Sequence, residues 1–182
     1  MTCIVAIKHD NEIWMGGDSA AFRDDERTNR ADEKVFKNGD FLLGYSGSFR
    51  VGQLIRYAFN PPKNTRQKPD MEYMVVDFVD SLRFLLEEKG KLLKDESGDS
   101  YDSEIVVGFR NKIYVIESDF NVSITTEKYV VSGSGSAYAL GALYVLDEND
   151  KIQPRDKVEI ALKASAQYCP SVKAPFTILS NS

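Results

Sequence analysis

The sequence predicts an α+β protein folded as a four-layer αββα sandwich, two mostly antiparallel sheets flanked by helix pairs. Two observations carry this. Short apolar segments joined by turns fall into two groups, and each group is followed by two amphipathic helical segments. Two helix pairs need two sheet faces to cover, so the economical stacking is helices, sheet, sheet, helices. Hairpin connections dominate, so the sheets are predicted to be largely antiparallel.

The elements follow in order. Thr2 to Lys8 is β-branched and apolar and reads as a strand, with Asn11 to Met15 as its hairpin partner. Gly16-Gly17-Asp18-Ser19 breaks the pattern. Ala20 to Asn29, with the charge run Arg23-Asp24-Asp25-Glu26-Arg27, reads as a solvated loop or exposed strand. Lys34-Val35-Phe36 begins a short strand, Asn38-Gly39 turns it, and Phe41 to Ser46 is a buried strand. Val51, Leu54, Ile55, Ala58 and Phe59 form one helical stripe, stopped by Pro61-Pro62. A second helix carries Met71, Met74, Val75, Phe78, Leu82, Leu85 and Leu86 on one face. Lys94 to Ser103 reads as a loop.

Strands return at Glu104 to Phe109, Lys112 to Glu117, Val122 to Thr125 and Tyr129 to Ser132. Gly133-Ser134-Gly135 leads into a helix from about Ala137 to Leu146. Pro154 suits the start of another, which runs towards Cys169-Pro170. Phe176 to Leu179 is a last strand. No linker or repeat divides residues 1–182, which are expected to form one domain.

Composition narrows the function classes. The 182 residues are 42% hydrophobic and 28% charged, with a formal net charge of −5. That balance argues against nucleic acid as a main partner. No apolar run reaches the ~18–20 residues of a membrane span, and no signal peptide is evident, so the cytoplasm is the expected location. Two isolated cysteines, Cys3 and Cys169, make no zinc cluster, and no metal is expected. The lone His9 lies in a turn, a poor place for the base of a Ser-His-Asp enzyme.

The N-terminus offers different chemistry. Loss of Met1 would leave Thr2 with a free α-amine and a hydroxyl, and a Thr activated by its own amine is a workable nucleophile. The amine has an unperturbed pKa of roughly 7.7–8.0 and serves as base near neutral pH. Lys34 is the candidate cation to lower that pKa and stabilise a developing alkoxide, because it starts a strand that can lie beside the first. Asp18 is the candidate anion to hold Lys34. Gly47, at a strand-to-helix junction, is the candidate oxyanion donor. Ser134 is placed to hydrogen-bond the amine. Each residue alone also suits an ordinary ion pair or turn. A dinucleotide reading of Gly133-Ser134-Gly135 fails, because the third glycine of the motif would fall at Tyr138.

These motifs together resemble the proteasome β-type, HslV-like threonine peptidases of the N-terminal nucleophile (Ntn) hydrolase superfamily. The resemblance rests on Met1-Thr2-Cys3-Ile4-Val5-Ala6, Gly16-Gly17-Asp18, Lys34-Val35, Gly44-Tyr45-Ser46-Gly47, Gly133-Ser134-Gly135 and the stretch from Ala161 to Ile178 with Cys169. The two 16-residue steps, Thr2 to Asp18 and Asp18 to Lys34, match the family.

The resemblance implies the Ntn-hydrolase fold and peptide-bond hydrolysis through an acyl-threonine ester, with no organic cofactor. Thr2 would be nucleophile and base, Lys34 would tune it, Asp18 would orient Lys34, Gly47 would donate to the oxyanion and Ser134 would support the amine. It also implies a homo-oligomeric ring, a stacked double ring, that takes unfolded polypeptides, with an AAA+ unfoldase as a candidate partner. There are departures. Gln167-Tyr168 stands where the proteasome has an Arg-Asp pair, with Ser171-Val172 after it, and Ser19 replaces a family glycine. Two other readings stay open: an inactive ring-forming or regulatory relative, and an Ntn amidohydrolase acting on small amides.

Overall fold

A computed structural model describes residues 2–23, 26–96 and 98–182. Its two main sheets are antiparallel throughout. The first has the order β12-β1-β2-β13, built from Ile4–His9 (β1), Glu12–Gly17 (β2), Tyr129–Ser132 (β12) and Thr177–Ser180 (β13). The second has the order β11-β10-β9-β6-β5. Its strands are Val35–Asn38 (β5), Phe41–Gly47 (β6), Ser103–Phe109 (β9), Lys112–Ile116 (β10) and Val122–Ile124 (β11).

The period-2 alternation of the strands builds three apolar layers. On β1 and the residue before it, Cys3, Val5 and Ile7 face two helices, Ser136–Asp147 (α4) and Pro154–Tyr168 (α5). Their neighbours Ile4 and Ala6 turn the other way and meet Ile13, Met15, Val35, Leu42 and Val106 between the sheets. On β6, Leu43 and Tyr45 point away from that layer, into a core shared with Phe49–Tyr57 (α1) and the following helical segment. That segment runs from Asp70–Glu72 (α2) through a π-helical Tyr73–Phe78 into Val79–Glu88 (α3). The result is the expected four-layer αββα sandwich.

Four local expectations need correction. Ala20 to Asn29 is a hairpin, Ala20–Arg23 (β3) with Glu26–Asn29 (β4), and Ala20 and Ala21 are buried; Asp24 and Asp25 of its charge run lie outside the described residues. The stretch read as a loop from Lys94 to Ser103 contains a second hairpin, Leu93–Asp95 (β7) with Gly98–Ser100 (β8), and Ser103 already belongs to β9; Ser97 lies outside the described residues. The second helix is not uniformly α-helical. Most consequential, the strand that follows Lys34 does not lie beside β1. It is an edge strand of the other sheet, paired with β6.

Candidate active site

The sequence-singled residues converge where the ends of both sheets meet. Thr2 and Cys3 lead into β1, and Asp18 follows β2, so the antiparallel pairing of Ile4 with Gly17 brings them together. The Asp18 N–H donates to the Cys3 carbonyl at 3.3 Å. Its carboxylate closes the contact: Oδ1 accepts from the Cys3 N–H at 3.0 Å and Oδ2 accepts from the Ala20 N–H at 2.9 Å.

Lys34 arrives from the opposite sheet. Its Nζ donates to the same Asp18 Oδ1 at 2.9 Å and to the Ala20 carbonyl at 2.8 Å. Neither side chain of this ion pair is exposed. The ammonium therefore sits one carboxylate oxygen away from the peptide that joins Thr2 to Cys3. Burial holds the Lys34 pKa below its usual value, and the Asp18 charge opposes that shift. A buried pair of this kind is weak evidence for stability, because desolvation offsets the attraction. It lies next to the Thr2–Cys3 peptide, and Thr2 is 2% exposed.

Gly133-Ser134-Gly135 forms the other wall. Ser134 Oγ accepts from the Thr2 N–H at 3.2 Å and lies 3.3 Å from the Thr2 carbonyl, to which it can donate. The Gly135 N–H donates to that carbonyl at 3.2 Å. A side chain at Gly133 is excluded twice over. The backbone there has φ +95°, and a β-carbon would lie 2.3 Å from the Thr2 carbonyl oxygen. The bend is thus filled by Thr2 and Cys3 and leaves no phosphate cradle.

Gly47 ends β6, directly before Ser48, whose hydroxyl caps α1. At φ +105° it adopts a conformation that favours glycine, and a β-carbon would strike the Asp102 carbonyl at 2.6 Å. Its strand end is tied to the Thr2 wall, because Ser46 Oγ and Ser132 Oγ share a 2.8 Å hydrogen bond. A cleft of about 730 Å³ opens beside Gly47, lined by Ser48, Val51, Tyr101 and Asp102 among others. Thr2 itself does not line it.

Two further side chains join this cluster, and nothing in their local sequence marks them. Ser171 Oγ lies 2.7 Å from Ser134 Oγ, and Cys169 Sγ lies 3.1 Å from Ser171 Oγ. Both sit in the turn after α5, where the Val172 N–H donates to the Cys169 carbonyl. No periodicity marks such a turn. Gln167 and Tyr168, the departures from the proteasome pattern, point outwards, and the Tyr168 ring packs on Tyr138.

Cys3 packs against α5, where its thiol donates to Ser165 Oγ at 3.4 Å. Burial pushes its pKa up to about 11, so it remains a neutral thiol near pH 7. His9 ends β1, with its side chain 47% exposed beside Asp10, remote from these groups. Among the described residues, no group of three His, Cys, Asp or Glu converges as for a metal, and no helix is long and apolar enough to cross a membrane.

No family model matches the chain. Individual proteins do. It is 24% identical over 181 residues to the ATP-dependent protease subunit HslV of Caldicellulosiruptor saccharolyticus, covering 98% of this chain and 97% of that one. Among solved structures it is similar to Thiobacillus denitrificans BPH in complex with epoxomicin, with a TM-score of 0.82 and 19% identity over 98% of this chain and 97% of that one. It is also similar to the eukaryotic HslV from Trypanosoma brucei, with a TM-score of 0.77 and 14% identity over 98% of both chains. Along nearly its whole length the chain is thus similar in sequence to HslV protease subunits, and it shares the fold of the HslV and BPH structures.

Proposed function

We propose that residues 1–182 act as one Ntn-hydrolase domain, the threonine-type endopeptidase subunit of a self-compartmentalised, cytoplasmic protease. The observation that carries this reading is the fully buried Lys34–Asp18 pair, whose shared oxygen also holds the Cys3 amide. A purely structural chain has no need for a desolvated lysine at that point.

The chemistry follows from the positions. Met1 is removed and the Thr2 α-amine becomes free. The amine takes the proton of the Thr2 hydroxyl as Oγ1 attacks the substrate carbonyl. Lys34 lowers the amine pKa and stabilises the alkoxide, Asp18 orients Lys34, and the Gly47 N–H donates to the developing oxyanion. The ammonium then returns its proton to the leaving amine, giving an acyl-threonine ester. Water, activated by the same amine, hydrolyses the ester. Ser134 holds the amine throughout.

Substrates are unfolded polypeptides delivered to a ring of copies of this chain, with an AAA+ unfoldase as partner. The relative from C. saccharolyticus is described as an ATP-dependent protease subunit, which favours that partner class. Ring formation is favoured by α4. Its segment Ser136 to Leu146 carries no charge, yet Tyr138, Leu140, Tyr144 and Val145 are exposed. A helix apolar on two faces is ordinarily covered on both.

Cleavage of a fluorogenic peptide by chain lacking Met1 tests the activity. Thr2→Ala is expected to abolish turnover and Thr2→Ser to retain part of it. Full activity in Thr2→Ala would assign the chemistry elsewhere and favour the amidohydrolase alternative with another nucleophile. No activity in any processed chain that forms rings would favour the inactive relative.

A further inference from the structure

We infer that the Cys169 thiol is a positioning residue for the Thr2 α-amine, acting through Ser171 and Ser134. The inference rests on the reading of Thr2 as nucleophile and base.

The geometry is a hydrogen-bonded chain of four groups. The Thr2 nitrogen donates to Ser134 Oγ at 3.2 Å, Ser134 Oγ and Ser171 Oγ are 2.7 Å apart, and Ser171 Oγ and Cys169 Sγ are 3.1 Å apart. The thiol then turns back on the bend, 3.6 Å from the Ser134 carbonyl oxygen and 4.0 Å from Ser134 Oγ. The turn that holds it is tied to α5: the Cys169 N–H donates to the Ser165 carbonyl at 2.8 Å, and Cys169 itself is buried.

Two proton arrangements satisfy this chain. In one, Ser134 donates to Ser171, Ser171 donates to Cys169 sulfur, and the S–H donates to the Ser134 carbonyl. All donors then run away from the amine, and each bond polarises the next in favour of an ammonium at Thr2. In the other, Ser171 donates to Ser134, whose own hydroxyl turns to the Thr2 carbonyl at 3.3 Å. Ser134 Oγ must then accept from Ser171 and from Thr2 at once. The thiol selects the first arrangement, because only it gives the Ser171 proton an acceptor beyond Ser134. The 2.7 Å Ser134–Ser171 contact, against 3.3 Å to the Thr2 carbonyl, agrees with that sense.

Other charged and titratable groups lie around the Thr2–Cys3 segment. They are Asp18 after β2, Lys34 before β5, with Arg30 near it, and Cys3 just before β1. Lys34 disfavours the ammonium; the Cys169 chain supports it. The balance sets how readily the amine gives its proton to a leaving group after taking it from the hydroxyl.

The test reads the amine directly. Chain labelled with [15N]threonine, with Met1 removed by an aminopeptidase, is titrated by NMR. Cys169→Ala is expected to lower the Thr2 amine pKa by about 0.3–1 unit, the share of a charge-assisted hydrogen bond carried by its polarising neighbours. Cys169→Val, which fills the thiol's space without a hydrogen-bonding atom, gives the same shift and serves if the alanine variant does not fold. Cys169→Ser keeps an acceptor and stays near the parent value.

Ser171→Ala lowers the pKa to the same degree, and adding Cys169→Ala to it produces no further shift, because the thiol acts through Ser171. An unchanged pKa in both Cys169→Ala and Cys169→Val, or an equal extra shift on the Ser171→Ala background, overturns the inference. The pKa is read without turnover. A chain with the shifted amine but no peptidase activity refutes the proposed function alone, and an active chain with an unshifted amine refutes this inference alone.

Discussion

Asp18→Ala isolates what the buried ion pair does. Asp18 accepts three hydrogen bonds, from the Cys3 N–H, the Ala20 N–H and Lys34 Nζ, all within 2.9–3.0 Å. Removing it strands a fully buried ammonium and two buried amides. Breaking a buried pair by taking away one partner costs about 3–5 kcal/mol. For a domain of this size that corresponds to a fall in Tm of roughly 6–20 °C.

The pH dependence has a defined sign. The folded pKa of Lys34 lies below its usual 10.5. Between the folded and unfolded values the unfolded state binds more protons, so this group's contribution to stability rises as pH rises through that window. Asp18 is the charge that holds the Lys34 pKa up, so its loss widens the window downwards. The gap between Asp18→Ala and the parent is therefore expected to narrow from pH 7 towards pH 10. Urea titrations at several pH values measure it, with Lys34→Met and the double variant Asp18→Ala/Lys34→Met closing a cycle. The double variant is expected to cost less than the two single changes summed, by about 1–3 kcal/mol. Single changes that each cost under about 1 kcal/mol, or a gap independent of pH, would refute the reasoning that the pair is desolvated and mutually dependent.

Three further outcomes are expected. Gly133→Ala should lose about 3 kcal/mol or more and abolish activity, since its β-carbon would meet the Thr2 carbonyl at 2.3 Å at a positive φ; wild-type melting and turnover would contradict the close packing described here. Both buried thiols should resist a water-soluble thiol reagent in native protein near pH 7 and react after denaturation. Because the folded Cys3 pKa is raised to about 11, its contribution to stability is complete below the unfolded value near 9 and is lost as pH rises through 11; rapid labelling of Cys3 at pH 7 would contradict its burial. Tyr144→Lys with Val145→Glu on the exposed face of α4 should shift the protein to smaller assemblies by mass photometry while costing no more than about 1 kcal/mol of folding stability; unchanged assembly would remove α4 from the interface.

Much of the fold is legible because alternation on β1 and β6 and the 3.6-residue stripes of the helices each state which face is buried. The hairpin of β3 and β4 is harder to read, since a charge run follows Ala20 and Ala21, which are buried; beside them the Ser19 N–H donates to the distant Lys173 carbonyl. The π-helical turn at Tyr73–Phe78 leaves Val75 and Val76 exposed and breaks the stripe on which the helix was read. At the site, the spacing of Thr2, Asp18 and Lys34 was readable, but the route by which Lys34 reaches Asp18 was not. Local sequence cannot tell a neighbour in the same sheet from one facing it across the sandwich, and Lys34 is the second kind. Ser171 and Cys169 were hidden for a related reason: their partner, Ser134, lies 37 and 35 residues away, and only the docking of α5 on β1 brings them together.

The most direct test of Thr2 as nucleophile is intact-mass and peptide-mapping analysis after treatment with an epoxyketone such as epoxomicin, the ligand in the T. denitrificans BPH structure. Such a compound presents two electrophilic carbons, matched to the hydroxyl and the amine of a processed Thr2. The expected result is loss of Met1 and a single adduct on Thr2, absent in Thr2→Ala and slowed in Lys34→Ala. Retained Met1 with no adduct, or an adduct that persists in Thr2→Ala, would contradict the account.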